Sequence, residues 1–304
     1  MSDNAIVEVK DFRKVYGKLA AVDGVSFGIG RGEILALLGP NGAGKTSTLE
    51  CIEGVRLPDG GSIGVFGLDP AKDARKLARR VGVQLQSQGL PAAMTAAEAL
   101  AFFALYRGIR PNYRPAERLG LGSKLHNAVS ELSTGQQRRL ALALAIQHGP
   151  ELLVLDEPTA GLDVQTRDEL HALLAELKAQ GTTVLLATHD MAEAEKLADR
   201  ALVMVGGRIR AEGSPRELTA GGASRTRVVL STEGGCLFRR APAIEHAERM
   251  PDEEDYAVFL TARPGPVVRS LLSWIEDAGD EVVDLRVERP SLEERFLEIV
   301  QEKN

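Results

Sequence analysis

The chain has 304 residues, enough for one large domain or two ordinary ones with a real core. Its 44% apolar and 26% charged residues are those of a soluble globular protein, and a formal charge of −6 argues against general nucleic-acid binding, which shows as a basic surplus. Cys51 and Cys236 fall in no CxxC or metal-spaced pattern, so they read as buried free thiols of a reducing cytosol rather than a disulfide.

The N-terminal MSDNAIVEVKD lacks a basic region followed by an apolar stretch and predicts no secretory signal. IVEV (Ile6 to Val9) and LAAVDGVSFGI (Leu19 to Ile29) predict antiparallel strands. EILALLG (Glu33 to Gly39) predicts a strand buried on both faces, and GPNGAGKT, Gly39 to Thr46, follows it and opens a helix running through Cys51. That is the phosphate-loop pattern GxxxxGK[ST]. Its glycines let backbone N–H groups converge on phosphate oxygens, and the helix N-terminus adds its positive end. Gly39, Asn41, Gly42 and Gly44 are therefore expected at a nucleotide, with Lys45 neutralising the β- and γ-phosphates. Thr46 would offer its hydroxyl to Mg²⁺, and Ser47 a further contact to phosphate.

From about Ser87 to Gly149 the buried-strand pattern disappears. Thr95 and Glu98 predict a capping box before an apolar helix ending near Tyr106, and a second helix starts near Gln136. This predicts a helical subdomain inserted into the sheet domain. No apolar run approaches the roughly 18 residues that cross a bilayer, LALALAI from Leu140 being far too short, so any membrane link must come through a partner.

ELLVLDE (Glu151 to Glu157) and TTVLLAT (Thr182 to Thr188) again read as strands buried on both faces. Between them Leu170, Leu173, Leu174 and Leu177 repeat at helical spacing, and strand–helix–strand implies a parallel sheet with right-handed crossovers. Asp156 and Glu157 then emerge at the C-terminal end of their strand, where α/β sheets bind ligands. Asp156 would hold Mg²⁺ through water, and Glu157 would polarise an attacking water. ALVMV, Gly206-Gly207 and RIRAE predict a hairpin.

TAGGASRT, from Thr219, reads as a small-residue linker, which sets a domain of residues 1–220 and an accessory domain of 221–304. The second part predicts a small α+β unit without obvious chemistry. Its expected elements are strands at Arg227 to Leu230, Tyr256 to Leu260 and Glu281 to Val287, with a helix from Pro264 to Ala278. A last helix has Ser291 and Glu294 as its capping box and Leu292, Phe296, Ile299 and Val300 as its apolar face.

From about Ile6 to Leu218 the ordered set of motifs resembles the nucleotide-binding subunits of ATP-binding cassette (ABC) transporters. The resemblance implies an α/β fold: a P-loop NTPase core with a mixed, mainly parallel sheet, an antiparallel β-subdomain and an inserted α-helical subdomain at about 87–149. In this family an aromatic ahead of the phosphate loop stacks on adenine, which here is Tyr16; a half-buried strand-end aromatic is the other reading of that residue. VGVQLQSQGL resembles the glutamine loop, with Gln86 reaching Mg²⁺ and the lytic water. Gln84 would face the same side, and Gln86 is preferred because it ends the apolar run. TAGLD, ending at Asp163, resembles the loop that crosses the dimer interface. His189, in ATHDM, resembles the switch histidine that contacts the γ-phosphate and holds Glu157. His126, His148, His171 and His246 have no such setting and read as surface or packing residues.

LSTGQ, Leu132 to Gln136, resembles the family signature LSGGQ. The resemblance implies that Ser133, Gly135 and the helix N-terminus at Gln136 hold the γ-phosphate of the ATP bound to the opposite subunit. Thr134 departs from the family glycine. A β-branched residue disfavours φ > 0, so negative φ is expected there, with the hydroxyl available to phosphate.

The resemblance further implies an ATPase using ATP and Mg²⁺, paired head-to-tail with a second copy. It would lie on the cytoplasmic face of the membrane through a separate permease, with no nucleic-acid partner. ECIEGVRLPDGGSIGVFGLDP and PSLEERFLEIV are similar to bacterial exporter ATPases for drugs, sodium, polysaccharide or lipid, and an antibiotic-resistance type fits best. A groove around Gln86 to Phe103 would receive a permease helix, through Leu90, Pro91 and Met94 unless these simply pack locally. The alternative is a non-transport cassette ATPase of translation or DNA maintenance. Paired cassettes, a coiled-coil insertion or zinc cysteines would mark that class, and the sequence has none of them.

Overall fold

In chain order, residues 5–84, 89–220, 225–240, 242–288 and 291–301 are described by a computed structural model. It divides into two compact units, Met1–Pro215 and Arg216–Asn304.

The first unit opens with β1 (Ala5–Tyr16) and β2 (Leu19–Gly30), paired antiparallel, with β4 (Gly60–Val65) on the other edge of β1. Apolar residues alternate along these strands because one face is buried: Val7, Val9 and Phe12 are fully covered while Glu8 and Lys10 are exposed. The larger sheet holds β3 (Ile34–Leu38), β5 (Val81–Gln84), β6 (Leu152–Asp156), β7 (Thr183–Thr188), β8 (Arg200–Val205) and β9 (Arg208–Gly213). Its order is β5-β6-β7-β3-β8-β9; all neighbours run parallel except β9, which turns back from β8 through Gly206 and Gly207, both at positive φ.

Successive residues of a strand point to opposite faces, and here both faces are covered. Leu35, Leu37, Leu152 and Val154 enter a core shared with β1, β2 and α1 (Lys45–Ile52). Ile34, Leu153, Leu155, Val184 and Leu186 enter a second core made with the helices. At roughly 2 kcal/mol per buried aliphatic side chain, these runs pin the sheet between two layers. That explains why the strands lack polar alternation.

A short α2 (Ala74–Leu77) leads into β5. The helical subdomain contains α3 (Ala96–Arg107), the single turn α4 (Arg114–Ala116) and α5 (Thr134–Ile146). Thr95 and Glu98 form the expected reciprocal capping box. Leu90 and Met94 are half-buried and pack against the helical core, whereas Pro91 is exposed. Two further helices, α6 (Val164–Ala179) and α7 (Met191–Leu197), flank β7 in sequence. The α/β class expected from the sequence is the class observed.

Helix α8 (Pro215–Ala220) takes in Thr219 and Ala220, where small-residue composition predicts a linker. The second unit continues with β10 (Thr226–Thr232), α9 (Cys236–Arg239), β11 (Ala247–Arg249), β12 (Ala257–Thr261), α10 (Pro264–Asp277), β13 (Val282–Glu288) and α11 (Leu292–Gln301). Its antiparallel sheet has the order β11-β12-β10-β13, and Val228, Leu230, Phe259, Leu271 and Ile275 form its core. Ser291 and Glu294 cap α11 reciprocally.

Candidate nucleotide site

Sheet order brings the site together. β7 lies between β6 and β3, with Asp156 opposite Ala187 and Leu38 opposite Thr188. The next residues along the three strands, Glu157, His189 and Gly39, therefore leave the sheet at adjacent C-terminal ends.

After β3 the chain turns tightly into α1. A Cβ on Gly39 would lie 2.4 Å from the Met204 carbonyl oxygen. Gly44 caps α1 with φ +104°, and a Cβ there would meet the Ala21 carbonyl oxygen at 2.4 Å. Only glycine fits both constraints, and as a cap it supplies no side-chain acceptor to the first-turn amides. Asn41 and Gly42 are exposed on the loop. Lys45, 6% exposed, donates from Nζ to the Gly39 carbonyl at 2.6 Å and to the Pro40 carbonyl at 3.3 Å. Burial pulls its pKa down, while the charges of Glu157 and Asp156 oppose that shift.

The Thr46 hydroxyl donates to Asp156 Oδ2 at 3.0 Å. Burial raises the Asp156 pKa, and the Thr46 hydrogen bond works against it. Glu157 has φ +49° although it is not glycine. Its amide donates to the Ala187 carbonyl at 2.9 Å, and its Oε1 lies 2.9 Å from His189 Nδ1. Thus Lys45, Thr46, Asp156, Glu157 and His189 belong to one constellation.

Tyr16, 38% exposed at the end of β1, places its hydroxyl 3.3 Å from Ser47 Oγ. Lys14 and Arg56 flank its ring, 5.4 and 5.5 Å from the centroid. Gln84 is buried in β5, with Oε1 unpaired among the described residues, and lines a small cavity beside Arg138 and Pro158. Gln86 lies outside the described residues.

The LSTGQ turn stands apart from this constellation. Ser133 caps α5: its Oγ accepts the Gln136 amide at 3.3 Å, and its own amide donates to Gln136 Oε1 at 3.0 Å. Thr134 is the first residue of α5 and is absent from the positive-φ residues, as its β-branch requires. Gly135 is half-buried. Asp163 caps α6, accepting from the Thr166 amide at 2.8 Å and hydroxyl at 3.0 Å, which lowers its pKa.

Two features had no sequence signal. Glu53 ends α1 with a buried Oε2 that is unpaired among the described residues, and its carboxyl is pushed up to about 8, chiefly by burial and then by Asp156 and Glu50. Arg138 reaches from α5 to the main-chain carbonyl of Glu157. The remaining histidines sit as expected: His126 and His246 are exposed, His148 is half-buried with both ring nitrogens covered, and His171 is buried.

A glycine loop over a helix N-terminus, a buried lysine and paired acids at strand ends define a P-loop nucleotide site. A family model described as "ABC transporter" matches residues 22–160. The "Nod factor export ATP-binding protein I" of Paraburkholderia xenovorans is 44% identical over 222 residues, 71% of this chain and 73% of that protein. The protein of the same name from Ralstonia nicotianae is 41% identical over 281 residues, 89% of this chain and 86% of its own. A solved ATP-binding subunit of an ABC transporter superposes with a TM-score of 0.65 at 29% identity, covering 71% of this chain and 92% of that one. A dimeric post-hydrolysis ATP-binding cassette bound to ADP and Pi gives 0.64 at 25% identity, covering 68% and 98%. The chain belongs to the ABC transporter family, as an ATP-binding subunit that hydrolyses ATP.

Proposed function

We propose that the chain drives export, pairing head-to-tail with a second copy and coupling ATP hydrolysis to a separate membrane permease on the cytoplasmic face. The observation that carries the hydrolytic part is the 2.9 Å contact of His189 with Glu157 beside the buried Lys45. In this reading Lys45 and the loop amides hold the phosphates, Glu157 takes a proton from the attacking water, and His189 keeps its carboxylate in place. Gln86 contributes to the same water and metal, and Asp163 lies in the loop facing the second copy.

Thr46 and Asp156 suit Mg²⁺, since a hydroxyl and a carboxylate 3.0 Å apart are hard oxygen donors and such sites complete their shell with phosphate and water. Bound there, Mg²⁺ would neutralise charge developing on the phosphates.

No helix among the described residues is long and apolar enough to cross a membrane. For the permease's docking face we favour α3, where Phe102, Leu105 and Tyr106 are 56%, 79% and 68% exposed, over the packed Leu90 and Met94. The names of the relatives favour export over a role in translation or DNA maintenance. A drug or lipid-like cargo is the reading carried from the sequence.

The deciding variant is Glu157→Gln. Loss of the base should lower turnover about 10²–10⁴-fold with nucleotide binding intact, so that an ATP-bound dimer accumulates in size-exclusion chromatography. Wild-type turnover in this variant overturns the assignment. Co-purification of a membrane protein, lost in a Leu105→Asp variant, would support the docking face.

A further inference from the structure

Arg138 lies within α5, the helix that LSTGQ opens, yet its guanidinium leaves that helix and ends on another loop. Its Nη1 donates to the Glu157 carbonyl at 3.3 Å and to the Ala160 carbonyl. The Ala160 amide also donates to the Glu157 carbonyl, at 3.3 Å. No ion pair to Arg138 occurs among the described residues, so two main-chain carbonyls take its charge.

The first of those carbonyls belongs to a strained residue. Glu157 sits at φ +49°, a left-handed conformation that costs a non-glycine residue and persists only where surroundings over-determine it. Its amide is fixed by Ala187 of β7 at 2.9 Å. Arg138 supplies restraint on the carbonyl side. Without it, relaxation about the Glu157 dihedrals would swing the carboxylate away from His189.

We propose that Arg138 is a positioning residue for hydrolysis, holding the Glu157 backbone so that the carboxylate faces the attacking water. This rests on the reading of Glu157 as the base. Because Ser133 and Thr134 open the same helix, Arg138 also ties the signature turn to the carboxylate of its own chain. A γ-phosphate bound at LSTGQ, from the second copy's ATP, thereby steadies the acid that serves this chain's ATP.

Steady-state and single-turnover ATP hydrolysis test this in Arg138→Ala, Arg138→Lys and Glu157→Gln. Arg138→Ala should lower kcat about tenfold, the worth of one charge-assisted hydrogen bond, with KM for ATP and melting temperature close to wild type. Arg138→Lys, which keeps a cationic donor, should recover most of that loss. Added to Glu157→Gln, Arg138→Ala should cause no further loss, because residues acting as a unit are non-additive.

Wild-type kcat in Arg138→Ala overturns the proposal, and so does an equal loss in the Glu157→Gln background. A kcat loss matched by weaker ATP binding also counts against it. If Arg138→Ala does not fold, Arg138→Gln under the same assays decides. Should Glu157→Gln itself turn over like wild type, the reading of the base fails; an inactive Glu157→Gln beside a fully active Arg138→Ala removes only the role of Arg138.

Discussion

Ser133 and Gln136 cap α5 reciprocally, each main-chain amide answered by the other's side chain. Thr134 and Gly135 lie between them in helical conformation, so the turn's shape is set by its flanking residues and not by a flexible second position. This is why threonine is tolerated there.

Thr134→Gly therefore relieves no strain. If the Thr134 hydroxyl contacts the second copy's phosphate, the glycine variant should lose about threefold in ATP turnover, the worth of one net hydrogen bond, and Thr134→Ser should keep it. Turnover and ATP-driven dimerisation unchanged in Thr134→Gly would remove the hydroxyl from the mechanism.

Two glycines of the phosphate loop should separate cleanly. Gly42 has φ +79° with no atom within 4 Å of a built Cβ, so Gly42→Ala carries only the conformational cost, about 1–2 kcal/mol. Gly44 adds a 2.4 Å clash with a carbonyl oxygen, and Gly44→Ala should destabilise more and abolish fluorescent-nucleotide binding. Equal urea midpoints for the two variants would contradict this geometry.

Tyr16 should matter through its ring more than its hydroxyl. Replacing it with alanine should weaken nucleotide binding about tenfold, the scale of one base–aromatic stack, whereas Tyr16→Phe forfeits only a long 3.3 Å contact to Ser47. Stacking discriminates little between purines, so ATP and GTP affinities should fall together. An unaffected alanine variant leaves Tyr16 a strand-end aromatic.

His148 sets an acid limit on stability. Burial, assisted by Arg107, holds its pKa at about 4, below the ordinary 6.5. Between those values the unfolded chain binds a proton the native state does not, so stability rises with pH through that window and is lost as pH falls from 6.5 towards 4. Urea unfolding at pH 7 and pH 5 should show a loss that His148→Phe reduces by roughly 1–3 kcal/mol. Identical losses in both proteins would place the acid sensitivity elsewhere.

The sequence made the phosphate loop legible because glycine spacing, lysine and a preceding apolar run are all local. The central strands were legible for the same reason, each being apolar on both faces. Strand β4, written GGSIGV, carries no such run and exists because β1 offers it an edge. The three-residue β11 and one-turn α9 are likewise products of tertiary pairing. Thr219 and Ala220 looked like a linker because small residues also suit the end of a helix. Arg138 was invisible because an arginine doublet on a helix ordinarily reads as a solvated face.

Because Gly39, Glu157 and His189 are adjacent only through the pairing of β3, β7 and β6, activity doubles as a report on strand alignment. A one-residue slip of any pair would displace its strand end by about 3.3 Å and turn its side chains to the opposite layer. Protein recovered from denaturant that regains full ATP turnover has therefore regained its central register. Soluble material that binds nucleotide without hydrolysing it is the expected signature of a chain collapsed one step out of line.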